Sequence, residues 1–134
     1  MDSKHKKIIS LLESYLERNP DQRFGQALLN LGINQFKNEN PERKDFSIRD
    51  IYNDSDQAII GRIESQLAWF DLQETVSNAL SGSLELKGMT VNEKLYMTGL
   101  MNEFDKHKIH NKEFARFILK SLSVDADSIS LILM

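Results

Sequence analysis

The sequence has no cysteine, two prolines, six glycines and a single tryptophan among its 134 residues. Without cysteine there is no disulfide, no thiolate nucleophile and no thiolate metal ligand, which is typical of a cytosolic protein and predicts a cytoplasmic location. No apolar run approaches the roughly 20 residues that span a bilayer, so we expect no membrane partner. The charged N-terminus lacks a small-residue cleavage site after it, so it predicts a helix and not a signal peptide.

The chain also has little excess of one charge over the other, because its net charge is only -3. Residues 1–88 hold 11 Lys and Arg against 14 Asp and Glu, and residues 89–134 hold 6 against 6. This balance argues against a surface built throughout for phosphate backbones, which lysine and arginine neutralise. The composition is 40% hydrophobic and 28% charged, which is typical of a folded globular protein and excludes general disorder.

Hydrophobic spacing in the first half of the chain predicts helices. A first helix carries apolar residues at helical spacing from Ile8 to Leu16 and stops at Pro20. Asp21 is the expected N-cap of a second helix that buries Phe24, and together the two helices predict a hairpin. The next segment, residues 37–50, is polar and predicts a loop, from which Phe46 and Ile48 are expected to enter the core.

A long third helix is predicted to begin at Asp54 or Ser55. Its first stripe consists of Ile59, Ile60, Ile63, Leu67 and Phe70. Trp69 lies away from the centre of that stripe and aligns instead with Leu72 and Val76. This rotation of the apolar face predicts that the helix packs first against the N-terminal hairpin and then against a C-terminal lobe.

Capping signals predict the remaining helices. Thr90 and Glu93 have the spacing of a capping box that starts a fourth helix, which is expected to run through Phe104. Asn111 and Asp125 are expected to cap a fifth and a short sixth helix. The fold class is therefore all-α, with five to six helices arranged as an N-terminal hairpin, a long central helix and a C-terminal helical lobe. We expect residues 1–80 and 89–134 to form two lobes that share one core.

Two segments resemble known groups of sequences. Residues 15–56 contain the run Pro20-Asp-Gln-Arg-Phe-Gly-Gln26 and a later Ile-Tyr-Asn-Asp-Ser-Asp motif. They resemble small uncharacterised bacterial proteins with a Pro-Asp-x-Arg-x-x-Gln pattern and a downstream acidic tyrosine motif. Residues 89–134 begin Met-Thr-Val-Asn-Glu-Lys-Leu and are similar to short bacterial proteins that begin Met-Thr-Val-Asn-Glu-Arg-Leu. The mosaic is similar in style to immunity proteins that neutralise bacterial toxins, and the resemblance implies no chemistry.

Catalytic motifs are absent from the sequence. There is no glycine-rich phosphate loop, no Gly-x-Ser-x-Gly elbow and no His-Glu-x-x-His helix. Glu103, His107 and His110 have the spacing of metal ligands on a helix, but surface histidines without metal are far commoner. Asp54 and Asp56 are more economically explained as helix-start residues than as an acid and base pair. We therefore predict a protein that is not an enzyme and that binds no cofactor or metal.

Several charged and aromatic residues have both a structural and a functional interpretation. Arg23 and Gln26 can recognise an anion, but an ion pair of Arg23 with Asp54 or Asp56 is favoured. Arg62 and Trp69 are residue types that dominate binding interfaces, although packing is the favoured role for Trp69.

A basic stripe on the fifth helix is the strongest sign of nucleic-acid contact. Lys112, Arg116 and Lys120 recur at every fourth residue and lie on one helix face. A short link precedes this helix, as in a helix-turn-helix. Solvated helix faces often carry such a stripe, so we keep a nucleic-acid-binding regulator as the alternative hypothesis.

The preferred hypothesis is a small inhibitor that binds a protein partner, most plausibly a basic bacterial toxin, and covers its functional surface. The predicted partner-binding residues are Asp45, Asp50, Asp54, Asp56, Arg62 and Trp69. Glu39 and Glu42 add to the acidic loop, whose charge is expected to speed encounter with a basic partner more than it adds affinity.

Overall fold

The computed structural model describes residues 1–38, 42, 46–82 and 85–134 of the chain. The described residues form seven α-helices: α1 (Ser3–Arg18), α2 (Phe24–Asn30), α3 (Asp56–Leu80), α4 (Val91–Thr98), α5 (Met101–His110), α6 (Lys112–Ser121) and α7 (Ala126–Ile132). No strand occurs in these parts of the chain, so the protein is all-α, as predicted. The chain divides into two compact units, Met1–Ala68 and Trp69–Met134. This boundary lies within α3, whereas the predicted lobes end at residue 80 and begin at residue 89.

The first unit has a small core built from α1, α2 and the beginning of α3. Its buried apolar side chains are Tyr15, Ala27, Leu31, Ile60 and Ile63. The hydroxyl of Tyr15 donates a hydrogen bond to Oε1 of Gln22 (2.8 Å), which links α1 to the segment before α2. α1 and α2 pack against each other, as expected of the predicted hairpin.

The second helix begins later than the sequence predicted. α2 starts at Phe24, and the backbone N–H of Arg23 donates to the side chain of Gln26 (3.0 Å) at its N-terminus. The predicted N-cap Asp21 is wrong, because it lies in the turn in which the N–H of Gln22 donates to the carbonyl of Asn19 (3.1 Å). Phe24 was predicted to be buried but is 59% exposed.

The described residues of the segment between α2 and α3 include one isolated antiparallel bridge, between Phe36 and Ile48. Two backbone hydrogen bonds of 2.8 Å flank this bridge, from Lys37 to Ser47 and from Arg49 to Gln35. Residues 35–37 and 47–49 are therefore held together by main-chain bonding.

The second unit has a larger core. The end of α3, the helices α4–α7 and some residues that directly follow these helices all contribute to it. Its buried side chains are Leu72, Val76, Leu95, Leu100, Phe104, Ala115, Ile118, Leu119, Leu122, Ile129 and Leu133. The apolar face of α3 changes along the helix, as predicted, because Ile60 and Ile63 are buried in the first unit and Leu72 and Val76 in the second.

One predicted helix is two helices in the structure, which is why the described residues contain seven helices and not five to six. α4 ends at Gly99, whose φ of 75° is left-handed. The N–H groups of Gly99 and Leu100 donate to the carbonyls of Tyr96 (3.1 Å) and Leu95 (3.0 Å), which is the Schellman pattern of a helix end. Leu95 and Leu100 are both buried, so this helix end is also packed into the core.

Side-chain caps begin the helices at three of the predicted positions. Thr90 Oγ1 accepts a hydrogen bond from the N–H of Glu93 (3.2 Å), and Asn111 and Asp125 accept from the third residue after each of them. Ser55 Oγ accepts from the N–H of Ala58 (3.1 Å), so Ser55 and not Asp54 caps α3. None of the helices in the described parts of the chain is both long and apolar enough to cross a lipid bilayer.

Candidate partner-binding surface

A network of two arginines around one carboxylate braces the turn before α3. Asp54 accepts hydrogen bonds from both terminal nitrogens of Arg49, one of them at 3.1 Å, in a two-point contact. Nη1 of Arg62 lies 2.9 Å from the same carboxylate. Nε and Nη2 of Arg49 also donate to Oε1 of Gln35, at 3.2 and 3.0 Å. Such charge-assisted contacts fix orientation as well as adding energy.

Arg62 connects this network to the end of α2. Its Nε donates to the carbonyl of Gly32 (2.7 Å) and its Nη2 to the carbonyl of Ile33 (3.2 Å). The φ of Gly32 is +74°, and a Cβ placed there would lie 3.3 Å from Cβ of Arg62. Glycine is therefore favoured at this position both by backbone conformation and by the close approach of α3. Arg62 holds the post-α2 backbone and Asp54 together.

The charge state of the network follows from these contacts. The hydrogen bonds from Arg49, followed by those from Arg62, lower the pKa of the Asp54 carboxyl below its ordinary value. The same carboxylate raises the pKa of the Arg49 guanidinium. Both groups are therefore charged near neutral pH, and the network resists protonation of Asp54.

Large apolar side chains are exposed beside this braced turn. Tyr52 is 89% exposed and Phe46 is 73% exposed. Ile48 is 46% exposed and Phe36 37% exposed, and the rings of Phe36 and Phe46 meet edge to face with their centroids 5.9 Å apart. The prediction that Phe46 and Ile48 enter the core is therefore wrong. The bridge between Phe36 and Ile48 belongs to no larger sheet among the described residues.

A small pocket adjoins the same region of the first unit. It has a volume of about 150 Å³ and is lined by Leu29, Gly32, Asn34, Gln35, Phe36 and Gln66. Its lining thus combines apolar side chains with amides that can donate and accept hydrogen bonds. The network therefore supports both an exposed aromatic surface and a neighbouring concavity.

The predicted acidic residues have different environments. Asp45 lies outside the described residues, as does Glu39. Asp50 is exposed, and its Oδ1 accepts a hydrogen bond from the N–H of Tyr52 (2.9 Å). Oδ2 of Asp56 lies 3.0 Å from Nε2 of His5. Asp54 pairs with Arg49 and Arg62 and not with Arg23, and the structure therefore does not contain the ion pair that was favoured for Arg23.

Trp69 belongs to the second unit and packs against its core. Its ring centroid lies 4.7 Å from that of Phe117 and 5.5 Å from that of Phe114. The other predicted interface residue, Arg62, has a side chain only 19% exposed because its guanidinium is engaged in the network. Their assignment to partner binding stays a prediction, and these contacts supply a structural role for each of them.

The basic stripe lies on α6 as predicted. Lys112 and Lys120 are exposed, and Arg116 is half-buried. Nη1 of Arg116 lies 2.7 Å from Oε1 of Glu113, so one of the three cations is paired within its own helix. Ile118 lies on the opposite side of α6 from the stripe and is buried in the core.

The histidine cluster singled out in the sequence is only partly assembled. Nε2 of His107 lies 3.3 Å from Oε2 of Glu103, and its ring packs edge-on against Phe114. His110 is exposed. Among the residues that the structure describes, a different trio, Asp2, His5 and Asp56, brings three potential ligand atoms within 4.8 Å of one another. The contact between His5 and Asp56 and the helix cap made by Asp2 account for this trio without a metal.

Sequence reasoning missed Arg49, Phe46 and Tyr52 as members of a surface. The available signal for Phe46 and Tyr52 is an aromatic residue in an otherwise polar segment, because loops lie at the surface and often carry binding residues. No comparable signal marks Arg49.

Comparison with protein families, curated proteins and solved structures found no match to this chain.

Proposed function

We propose that this protein is a small protein-binding module that acts through the braced turn of its first unit. The observation that carries the proposal is the exposure of two aromatic side chains, Phe46 and Tyr52, three residues before and three residues after Arg49 of the network. Phe46 also contacts the exposed ring of Phe36, and contiguous exposed apolar side chains mark interaction sites in soluble proteins. Aromatic residues contribute a large share of the binding free energy in many interfaces.

Rigid support favours the same surface. A binding residue on a turn loses conformational entropy when its partner fixes it, and prior bracing reduces that loss. Here the turn begins with the main-chain bond from Arg49 to Gln35 and ends at the Ser55 cap of α3. Tyr52 lies between these two fixed points, and its backbone N–H is held by Asp50.

The charge near this surface favours a basic partner. Asp50 is exposed, and the part of the sequence between α2 and Asp50 contains further acidic residues. Complementary charge would speed association and would make the rate depend on salt. Within this proposal the partner is a basic bacterial toxin, and binding covers its functional surface. The inhibitor assignment rests on analogy with small immunity proteins and assigns no reaction to the chain.

The test compares two exposed tyrosines. A tagged protein is used to recover partners from extract of its native cells, with and without nuclease, and the bound proteins are identified by mass spectrometry. Tyr52→Ala is expected to abolish recovery of a stoichiometric partner. Tyr96→Ala is the matched control, because Tyr96 is 76% exposed but belongs to the second unit.

Kinetic measurement with the recovered partner tests the charge component. Asp50→Lys is expected to slow association several-fold and to weaken its dependence on salt. Equal binding by the Tyr52→Ala and Tyr96→Ala variants would remove the braced turn as the binding surface. Recovery that disappears with nuclease would favour the alternative hypothesis of nucleic-acid binding through Lys112, Arg116 and Lys120.

A further inference from the structure

A cavity opens among the helices α4, α5 and α7 of the second unit. Its volume is about 420 Å³, within the range of roughly 300–1,000 Å³ that is usual for small-molecule sites. Four of its lining residues are apolar, namely Val91, Leu95, Phe104 and Ile132. Leu95 and Phe104 are also buried members of the core, so the floor of the cavity is the packed core itself.

Three polar residues, Thr90, Asn92 and Lys108, also line the cavity. The hydroxyl of Thr90 is engaged in the helix cap, since it accepts from the N–H of Glu93 (3.2 Å) and donates to Oε1 of Glu93 (3.1 Å). The side chains of Asn92 and Lys108 form no hydrogen bond or ion pair with any residue that the structure describes. The amide of Asn92 and the ammonium of Lys108 are therefore the polar groups that remain for a ligand.

The ammonium of Lys108 lies beside the apolar floor. Its Nζ is 5.9 Å from the centroid of the Phe104 ring, which is the distance of a cation–π contact. Lys108 follows Phe104 by four residues, so the two side chains share one face of α5. No carboxylate is among the described residues that line the cavity. The cavity thus combines apolar walls with one positive charge that has no ionic partner in the lining.

We propose that this cavity binds a small monocarboxylate with an apolar body. The apolar body packs against Leu95, Phe104 and Ile132, and the carboxylate accepts hydrogen bonds from the ammonium of Lys108 and the amide of Asn92. A few polar groups of this kind orient a ligand that is held mainly by apolar contact.

Charge selects the head group of the ligand. One ammonium matches one negative charge, and a hydrogen bond between two ionised groups is stronger than one between neutral groups. A cationic head would instead be repelled by Lys108. The cavity shares no residue with the braced turn, so this site is independent of the proposed function.

Titration of the full chain with octanoate, followed by two-dimensional NMR of the ¹⁵N-labelled protein, tests the proposal. Saturable shifts of the backbone amide signals of Asn92, Lys108 and Ile132 are expected. Octylamine has the same tail with a cationic head, and acetate has the same head without the tail. Both are expected to bind about tenfold more weakly than octanoate. Amide signals that octanoate leaves unchanged overturn the proposal, as does octylamine that binds as tightly as octanoate.

Two variants test the polar contacts. Lys108→Gln removes the cation and is expected to raise the octanoate dissociation constant about three- to tenfold. Lys106→Gln, at an exposed site of α5 outside the cavity, is the matched control and is expected to leave it unchanged. Circular dichroism establishes that each variant retains its helices. Equal octanoate affinity of Lys108→Gln and the wild type overturns the proposal.

Asn92→Asp separates binding from stability. The new carboxylate repels the ligand at the cavity, yet it lies in the first turn of α4, where negative charge is favoured. Weaker octanoate binding with unchanged or raised thermal stability is therefore expected. An Asn92→Asp variant that binds octanoate as tightly as the wild type overturns the proposed position of the carboxylate.

Discussion

Asp54 joins two arginines that are 13 residues apart in the sequence, so its charge state affects the stability of the first unit. Its pKa is lower in the folded chain than in the unfolded chain, so the unfolded chain binds the proton more readily. The stabilisation is therefore fully present above the ordinary aspartate pKa of about 3.9 and is lost as the pH falls through the folded value.

The corresponding prediction compares Asp54→Asn with Asp71→Asn, which changes an exposed residue of α3. Urea unfolding at neutral pH is expected to show a loss of stability for Asp54→Asn and little change for Asp71→Asn. Acidification below about pH 4 is expected to destabilise the wild type more than Asp54→Asn, because the amide cannot titrate. Parallel pH profiles for the wild type and Asp54→Asn would contradict this account.

Gly99 has a backbone conformation that other residues adopt at a cost. Its φ is +75° and no atom lies within 4 Å of the position that a Cβ would take. Gly99→Ala is therefore expected to destabilise the chain by about 1 kcal/mol through backbone strain alone. Gly61→Ala has the same side-chain change in the interior of α3, also with open space around it. It is expected to stabilise by roughly 0.5–1 kcal/mol, and thermal unfolding of both variants measures the contrast.

Local signals predicted individual caps better than they predicted ionic partners. Thr90, Asn111 and Asp125 were found from sequence because a cap acts on the backbone two or three residues away. The partners of Asp54 were not found, because several arginines were available in the first 68 residues and the path of the intervening loop selects among them. The exposure of Tyr52 was not predicted either, because it also depends on the path of the chain before α3.

The helix α6 contributes three fully buried side chains to the core of the second unit. Ala115, Ile118 and Leu119 are each 0% exposed. Leu119→Ala is expected to destabilise the protein by about 2–5 kcal/mol, because the substitution leaves a cavity in a packed core. Ile109→Ala removes a 77% exposed side chain from α5 and is expected to change stability by less than about 0.5 kcal/mol. Chemical denaturation of both variants checks the difference.

The spacing of apolar residues predicted where helices occur. It predicted their ends and the burial of their side chains only in part. The spacing around Leu95 and Phe104 continues through Gly99, so only the left-handed glycine reveals the break between α4 and α5. In α1 the spacing predicted a helix correctly, yet it did not show that Ile9 would be half exposed. Amphipathicity indicates that a face favours burial and does not indicate what covers it.

The two compact units differ in the size of their cores. Among the residues that the structure describes, five buried apolar residues form the core of the first unit and eleven form the core of the second. Amide hydrogen exchange is therefore expected to be slowest in α6 and faster in α1 and α2, because local opening exposes less buried apolar surface there. Equal protection of α2 and α6 would contradict this expectation.

The division into two units was the least accessible feature of the sequence. Serine and glycine near residue 82 suggested a boundary there, whereas the compact units meet within a continuous helix. The amino-acid composition of a continuous helix does not change where the helix passes from one unit to the next. In α3 the only sign of this passage is the rotation of the apolar face at Trp69. That rotation was visible in the sequence, and its position is where the second unit begins.

The single tryptophan, packed against Phe114 and Phe117, gives the second unit an optical signal of its own. Fluorescence excited selectively at Trp69 will follow the loss of that aromatic packing, whereas circular dichroism will follow helices throughout the chain. If the two signals change at different denaturant concentrations, the chain does not unfold in one cooperative step. The protein thus carries a natural probe with which the folding of one unit can be followed without a label.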